Sequence, residues 1–346
     1  MTFAQALQKI AGRQSLSREE ARQSIQELME GKVPPGQIAG FLMALRVKGE
    51  TVDELTGAAE AMRAAAIRVH CDARPIVDTC GTGGDGQCSF NLSTAAAFIA
   101  AGSGLTVAKH GNRSVSSRAG SADVLEALGL PVESNTKIAE KCLREIGLAF
   151  LFAPSFHPAM RHAMPVRREL GVRTIFNLLG PLTNPANPHV QLIGVYDPAW
   201  LKPVAEVLVQ LGIREGAVVH GQSHDEMVLS GPTQVAEIRN GSVTLTEWRP
   251  EDFGIKTRPG QELKGGSADE NAKILLAILQ GEPGPYREAA CLNAAAVIAA
   301  ASRFTNGAQA LSLPEAYEAA TAAIDRKQAL GKLDALRKHL RRAGAR

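Results

Sequence analysis

Residues 81–86 read GTGGDG. Three glycines at the spacing G-x-G-x-x-G match a dinucleotide-binding turn, and PIVDTC just before them (residues 75–80) reads as a short buried strand. In a dinucleotide fold such a loop leads straight into a helix, and an acid closes the next strand about 20 residues on to hold ribose hydroxyls. Here QCSFNLST (87–94) comes before the helical pattern is under way in STAAAFIAAGSG (93–104), and the next strand, LTVAKHG (105–111), carries Lys109 where that acid should stand. A cation suits a phosphate better than a diol. No Gly-Lys-Ser/Thr closes the loop, so it is not a Walker A either. The loop is read as a phosphate cradle of another kind, in which Asp85 calls for a metal ion or a helping donor between it and any pyrophosphate.

Strand and helix alternate outward from this loop. SADVLEALG (121–129) and TKIAEKCLREIG (136–147) read as helices and LAFLFA (148–153) as a strand. After these come the strand VQLIGVY (190–196), the helix WLKPVAEVLVQLG (200–212), the strand GAVVHG (216–221) and short strands through TQVAEIRNGSVTLTEW (233–248). Three long helices are expected from about residue 268. This alternation implies an α/β body with a central, mostly parallel sheet under helical cover. Residues 1 to about 70 read as helices only. Capping boxes pair Ser17 with Glu20 and Thr51 with Glu54, and Pro34-Pro35 opens a helix that buries Ile38, Phe41, Leu42 and Leu45. These short helices have more apolar surface than they can bury among themselves. Part is expected to pack on the HPAMRHAM segment (157–164), and part to form a dimer contact.

Composition excludes several classes. Of 346 residues 45% are hydrophobic, 21% charged and 4% aromatic, and the net charge is +3, too small to call for nucleic acid or an anionic membrane as partner. The basic end RKHLRRAGAR (337–346) reads as a solvated helix terminus. Five cysteines with no C-x-x-C argue against a disulfide framework or a zinc site and fit a reducing, cytoplasmic setting. The first residues lack the apolar core of a signal peptide, and no apolar run is long enough to span a bilayer.

Four further groups carry candidate chemistry. Asn91, Ser93 and Thr94 stand at a helix start, where hydroxyls and orphan N–H groups meet; plain N-capping by Ser93 or Thr94 is the bland alternative. KHGNRSVSS (109–117) packs Lys109, Asn112, Arg113, Ser114, Ser116 and Ser117 into nine residues, more donors than a surface turn needs. Arg161, Arg167 and Arg168 are all candidates for a guanidinium fork on a carboxylate. Asp225-Glu226, after a strand, offers hard oxygen ligands or two solvated acids.

The stretches GTGGDG…SFNLST, KHGNRSVSSRAGSADVLEALG (109–129), RTIFNLLGPLTNPANP (173–188) and GGSADENAKILLAILQGEPGP (265–285) resemble the motifs of the anthranilate phosphoribosyltransferases over nearly the whole chain. The resemblance implies a nucleoside phosphorylase-like phosphoribosyltransferase fold. It divides the chain into a small N-terminal helical domain, 1–72 joined by helices from about 157–185, and a larger α/β domain, 73–156 and 186–346. It implies phosphoribosyl pyrophosphate (PRPP) and anthranilate as substrates, magnesium as two ions per site, and a homodimer through the helical domain.

Carried over by motif, Gly81, Gly84, Asp85 and Ser89 line the pyrophosphate, while Asn91, Leu92, Ser93 and Thr94 hold phosphate oxygens. Lys109, His110, Gly111, Asn112, Arg113, Ser114, Val115, Ser116 and Ser117 wrap pyrophosphate and ribose, and Ser121 adds a contact. Gly81, Asn112 and Arg167 face anthranilate, Arg167 being the arginine after Pro-Val, and Ser93, Asp225 and Glu226 hold metal. Lys109, Asn112 and Arg167 are the expected catalytic groups, with His110 as acceptor of the amine proton. One departure is GQSHDEMVL (221–229), where the family more often has a glycine and an aliphatic residue before the acidic pair; His224 is read as an incidental loop residue. A nucleoside phosphorylase and a non-catalytic nucleic-acid-binding relative share the fold and are the competing readings.

Overall fold

The computed structural model of the chain describes residues 1–87, 89–114, 118–258 and 263–344. Four helices come first: α1 (Phe3–Ala11), α2 (Arg18–Met29), α3 (Pro35–Lys48) and α4 (Val52–Ala65). Both expected capping boxes form, Ser17 with Glu20 and Thr51 with Glu54. Glu54 does more than cap. Fully buried, it also takes the Leu16 N–H at 2.9 Å and the Lys48 ammonium at 2.8 Å, so its charge is matched where water is absent.

Strands and helices then alternate: β1 (Ile76–Gly81), α5 (Leu92–Gly102), β2 (Thr106–Gly111), α6 (Ser121–Ala127), α7 (Thr136–Ile146) and β3 (Leu148–Phe152). Short helices α8 (Ala153–Phe156), α9 (Met164–Leu170) and α10 (Ile175–Leu182) lead to β4 (Val190–Gly194), α11 (Leu201–Gln210) and β5 (Glu215–His220). The hairpin of β6 (Thr233–Arg239) and β7 (Ser242–Trp248) turns on Asn240 and Gly241, both at positive φ.

Four helices close the described chain where three were expected: α12 (Ala268–Leu279), α13 (Pro285–Asn306), α14 (Leu313–Asp325) and α15 (Gln328–Gly344). Gly281 and Gly284, at φ +89° and +145°, separate the first two, and Lys327 at φ +57° separates the last two without a glycine or proline to announce the break. The orphan carbonyl of Gln280 at the end of α12 is met by the Lys327 ammonium.

The seven strands lie in the order β3-β2-β1-β4-β5-β6-β7, the first five parallel and the last two antiparallel. Alternation along the strands feeds two cores. Val190, Leu192, Ala217, Val219 and Val235 face the layer of α5 and α13. Ile193, Val195, Val218, Ala236 and Ile238 face α11, and that core runs on through Val166, Ile175 and Leu179 into the N-terminal helices. Fully buried Phe41, Leu42 and Leu55 there each contribute about 1.5–3 kcal/mol. The HPAMRHAM segment, a 3-10 turn at Pro158–His162, packs on α2 as expected.

Candidate active site

β1 and β4 are neighbours, yet the chain leaves β1 toward β2 and β3 and leaves β4 toward β5 on the other side. Their carboxyl ends therefore open a crevice, the place where an open α/β sheet receives its ligand. Gly81 and Gly194 pair across that opening. The loop after β5 returns over both of them. A Cβ on Gly194 would stand 1.5 Å from the Asp225 carbonyl oxygen, and one on Gly81 would stand 2.4 Å from Asp225 Oδ2. Glycine is required at both positions because backbone and carboxylate occupy the space of a side chain.

The approach gathers acids. Asp225 Oδ2 accepts from Gly83 N at 2.6 Å, and Asp225 N donates to Asp85 Oδ2 at 3.3 Å. Glu226 Oε1 accepts from Ser93 N at 3.2 Å, inside the first turn of α5. Burial first, and the neighbouring Asp85 second, hold the Asp225 carboxyl well above the usual carboxylate range; Glu226 is raised by burial and by Asp225. Lys109, 4% exposed, is the buried cation on this side, donating to Thr79 O at 2.5 Å and Ser93 Oγ at 3.4 Å. Beneath it lies Asp78, whose carboxylate takes His110 N at 3.3 Å and Asn184 Nδ2 at 2.8 Å.

The donor set suits magnesium. Among the described residues Thr94 Oγ1 and Ser89 Oγ are buried without a partner, and Asp85 and Asp225 crowd Glu226, with Lys109 as the cation that opposes them. Among the described residues no three His, Cys, Asp or Glu side chains form a cage, so an ion there would complete its shell from water or phosphate. Three buried thiols are neutral: burial pushes Cys80 up to about 12 and Cys142 and Cys291 up to about 11.

Several expected residues are placed differently from their reading in sequence. The N-cap of α5 is Asn91, not Ser93 or Thr94, and its side chain caps nothing. It is held instead by Ala119 O at 3.1 Å and by Asn271 Nδ2 at 2.9 Å, while the Glu226 carboxylate takes the orphan N–H of Ser93. Arg113 points to α6, where it bonds Glu126 at 2.5 and 2.6 Å and Asp123 at 3.1 Å. Asn112 is exposed, its Oδ1 accepting from Arg113 N and its carbonyl accepting from Ser121 Oγ. Gly111 lies where a Cβ would meet Ser121 Oγ at 2.2 Å. Leu92 is buried core, and the His224 ring meets the Gly221 and Gln222 carbonyls of its own turn, as an incidental loop residue would. Val115, Ser116 and Ser117 lie outside the described residues.

Of the three candidate arginines, Arg161 and Arg168 are exposed and Arg167 is half-buried. Its guanidinium lies 5.2 Å from the Phe176 ring centre and donates weakly to Met164 Sδ at 3.7 Å, and burial lowers its pKa. No carboxylate among the described residues pairs with it. The His110 and His157 rings meet at a tilt of 55° with centres 5.2 Å apart, each with a buried Nε2 that has no partner among the described residues. Burial holds both below the usual histidine range, so both are neutral.

Arg173 escaped the sequence reading although it heads the motif RTIFN. It donates to the Gly84 carbonyl, lies 4.1 Å over Tyr196, and gives its own carbonyl to Arg46 at 2.7 Å. It thereby ties the α9–α10 segment and α3 to the glycine loop. Asn184 and Asn271 were also missed; a buried amide has no periodic signature.

Residues 73–330 match the family described as "Glycosyl transferase family, a/b domain" and residues 4–66 its "helical bundle domain". Among curated proteins, the anthranilate phosphoribosyltransferase of Symbiobacterium thermophilum is 48% identical over 340 residues, 98% of each chain. That of Desulfatibacillum aliphaticivorans is 47% identical over 99% of this chain and 100% of its own. Among solved structures, the Thermus thermophilus enzyme superposes with a TM-score of 0.90 at 45% identity, covering 97% of this chain and 99% of that one. The Saccharomyces cerevisiae enzyme in complex with PRPP and Mg gives 0.88 at 26% identity, covering 98% and 97%. The α/β domain and the helical bundle both match along nearly the whole chain: this chain belongs to the anthranilate phosphoribosyltransferase family.

Proposed function

We infer that this protein transfers the 5-phosphoribosyl group of PRPP to the amine of anthranilate. The products are N-(5-phosphoribosyl)anthranilate and pyrophosphate, in L-tryptophan biosynthesis. The observation that carries this reading is the seating of Asp225 over Gly81 and Gly194, which joins two carboxylates, a glycine loop and the Lys109 region in one crevice. Yeast complexes with PRPP and Mg and with 4-fluoroanthranilate support the same ligands here.

The reaction breaks the bond between C1′ and a pyrophosphate oxygen, so positive charge grows on the sugar and negative charge on the leaving group. Gly81, Gly84, Asp85 and Ser89 are assigned to the pyrophosphate, with Asn91, Leu92, Ser93 and Thr94 at the start of α5. Lys109 opposes the leaving charge from a buried position, where a cation acts more strongly than in solvent. Ser93, Asp225 and Glu226, with the substrate, would hold magnesium as two ions, which would supply positive charge beside the leaving pyrophosphate. Arg167 forks the anthranilate carboxylate, and Asn112 and Gly81 flank the ring, so the amine is held in line with C1′. An aromatic amine attacks as a neutral base, and neutral His110, its Nε2 unpartnered, accepts the proton afterwards.

Residues 1–72 with 157–185 and residues 73–156 with 186–346 are taken as two bodies closing over the crevice. A homodimer through the first is supported by Val47 on α3 and Val172 after α9, 69% and 44% exposed. A cytoplasmic location fits the thiols left unpaired.

The deciding test is anthranilate fluorescence. Its loss should require protein, PRPP and magnesium together. Turnover that persists in excess chelator, or phosphorolysis of a nucleoside in its place, would overturn the assignment.

A further inference from the structure

The buried run of α13, CLNAAAVIAAA (291–301), contains one amide, Asn293, which has no exposure. An unbonded amide in that position would be costly. Asn293 is fully engaged, and its chief partner is a single residue. Its Oδ1 accepts from Met227 N at 3.1 Å; its Nδ2 donates to Met227 O at 3.0 Å and to Ala289 O at 3.0 Å. One side chain thus satisfies both backbone groups of Met227, as a neighbouring strand would. Met227 follows Glu226 directly, and its own side chain is 1% exposed in the core. The acidic pair is therefore held from two sides, by Gly83 and the glycines of the crevice before it and by Asn293 after it.

We propose that Asn293 is a positioning residue for the metal-holding pair, fixing the backbone at Met227 so that Asp225 and Glu226 face the crevice. The proposal rests on the magnesium reading above. Asn293 acts through the loop and touches no substrate. α13 packs on α5, β1, β4 and β5, whereas α9 with Arg167 packs on α3 and the Pro158–His162 turn. A defect at Asn293 is thus expected to stay on the metal side.

The test is Mn²⁺ binding in the presence of pyrophosphate, followed by the electron paramagnetic resonance of the free ion. Asn293→Leu should weaken Mn²⁺ about 10- to 100-fold while leaving anthranilate affinity unchanged. Asn293→Asp keeps the shape and the acceptor but not the donors, and it carries the test if the leucine variant does not fold. Unchanged Mn²⁺ affinity, or an equal loss at both ligands, overturns the proposal. Asp225→Asn with Glu226→Gln is the control: unaltered Mn²⁺ binding there defeats the metal reading itself, a separate failure. In the unaltered protein the Met227 amide should also exchange slowly with deuterium, and fast exchange would refute the role without any variant.

Discussion

Asp225 is fixed through its carboxylate by Gly83 N, through its own N–H by Asp85 and through its carbonyl, which fills the place of a side chain at Gly194; Arg167 rests on the Met164 sulfur and the Phe176 ring. The two regions are built on different terms. The crevice is over-determined: backbone groups and buried carboxylates hold one another. The α9 side carries a lone half-buried cation on an apolar bed. The first kind of site stabilises developing charge, because its dipoles need not reorganise. The second offers a guanidinium with no carboxylate partner among the described residues.

Substituting the fixed region should do the most damage. Gly194→Ala drives a methyl into the Asp225 carbonyl, so the acidic pair must move. We expect kcat/KM to fall by about 10³-fold and stability by about 1–3 kcal/mol, read from steady-state kinetics and urea denaturation. A wild-type rate would show that the seating is dispensable.

The apolar bed near the second region should appear in acid. His157, 6% exposed, is pushed down to about 4 by burial. Its folded pKa lies below its unfolded one, so the unfolded chain binds the extra proton as pH falls from about 6.5 to 4. Over that window about 3 kcal/mol of stability should be lost, and His157→Gln should flatten the slope of urea stability against pH.

Arg167→Ala should raise the anthranilate KM about 10- to 100-fold and leave that for PRPP unchanged. Equal changes in both would dissolve the division between the regions. Thr94→Val sharpens the comparison from the other side. Its hydroxyl is buried and bonds nothing, so its removal should leave thermal stability intact or raised; PRPP affinity should drop about tenfold.

The smallest effect is expected in the turn that precedes the acids. Gln222 and Ser223 stand at φ +45° and +78°, where side chains other than glycine are strained. Ser223→Gly should add about 1 kcal/mol of stability with kcat unchanged.

Much of this organisation was legible before the fold was known. The capping boxes at Ser17 and Thr51, the buried stripe of α3 and the strand–helix alternation follow from local periodicity and hydrogen-bonding rules, and they formed as read. Arg167 was singled out only with the help of the family motif; its spacing alone did not separate it from Arg161 and Arg168. The break at Lys327, which makes four closing helices, carried no glycine or proline signal. The commitment of Arg113 to Glu126 was likewise open, since either a phosphate or an acid satisfies a guanidinium.

The sequence by itself determined most of the elements, the glycine loop that cannot be a dinucleotide turn, and the chemistry on offer: acids, one strand-end lysine and a set of arginines. Those depend on neighbours a few residues apart. Only the tertiary structure decided which donors remain available. The Asn91 side chain bonds Asn271 and Ala119, and Glu226 accepts from the N–H of Ser93. Asn184 holds Asp78 across 106 residues. Such bonds join segments far apart in the chain, and a buried polar group takes whatever partner the packing brings to it.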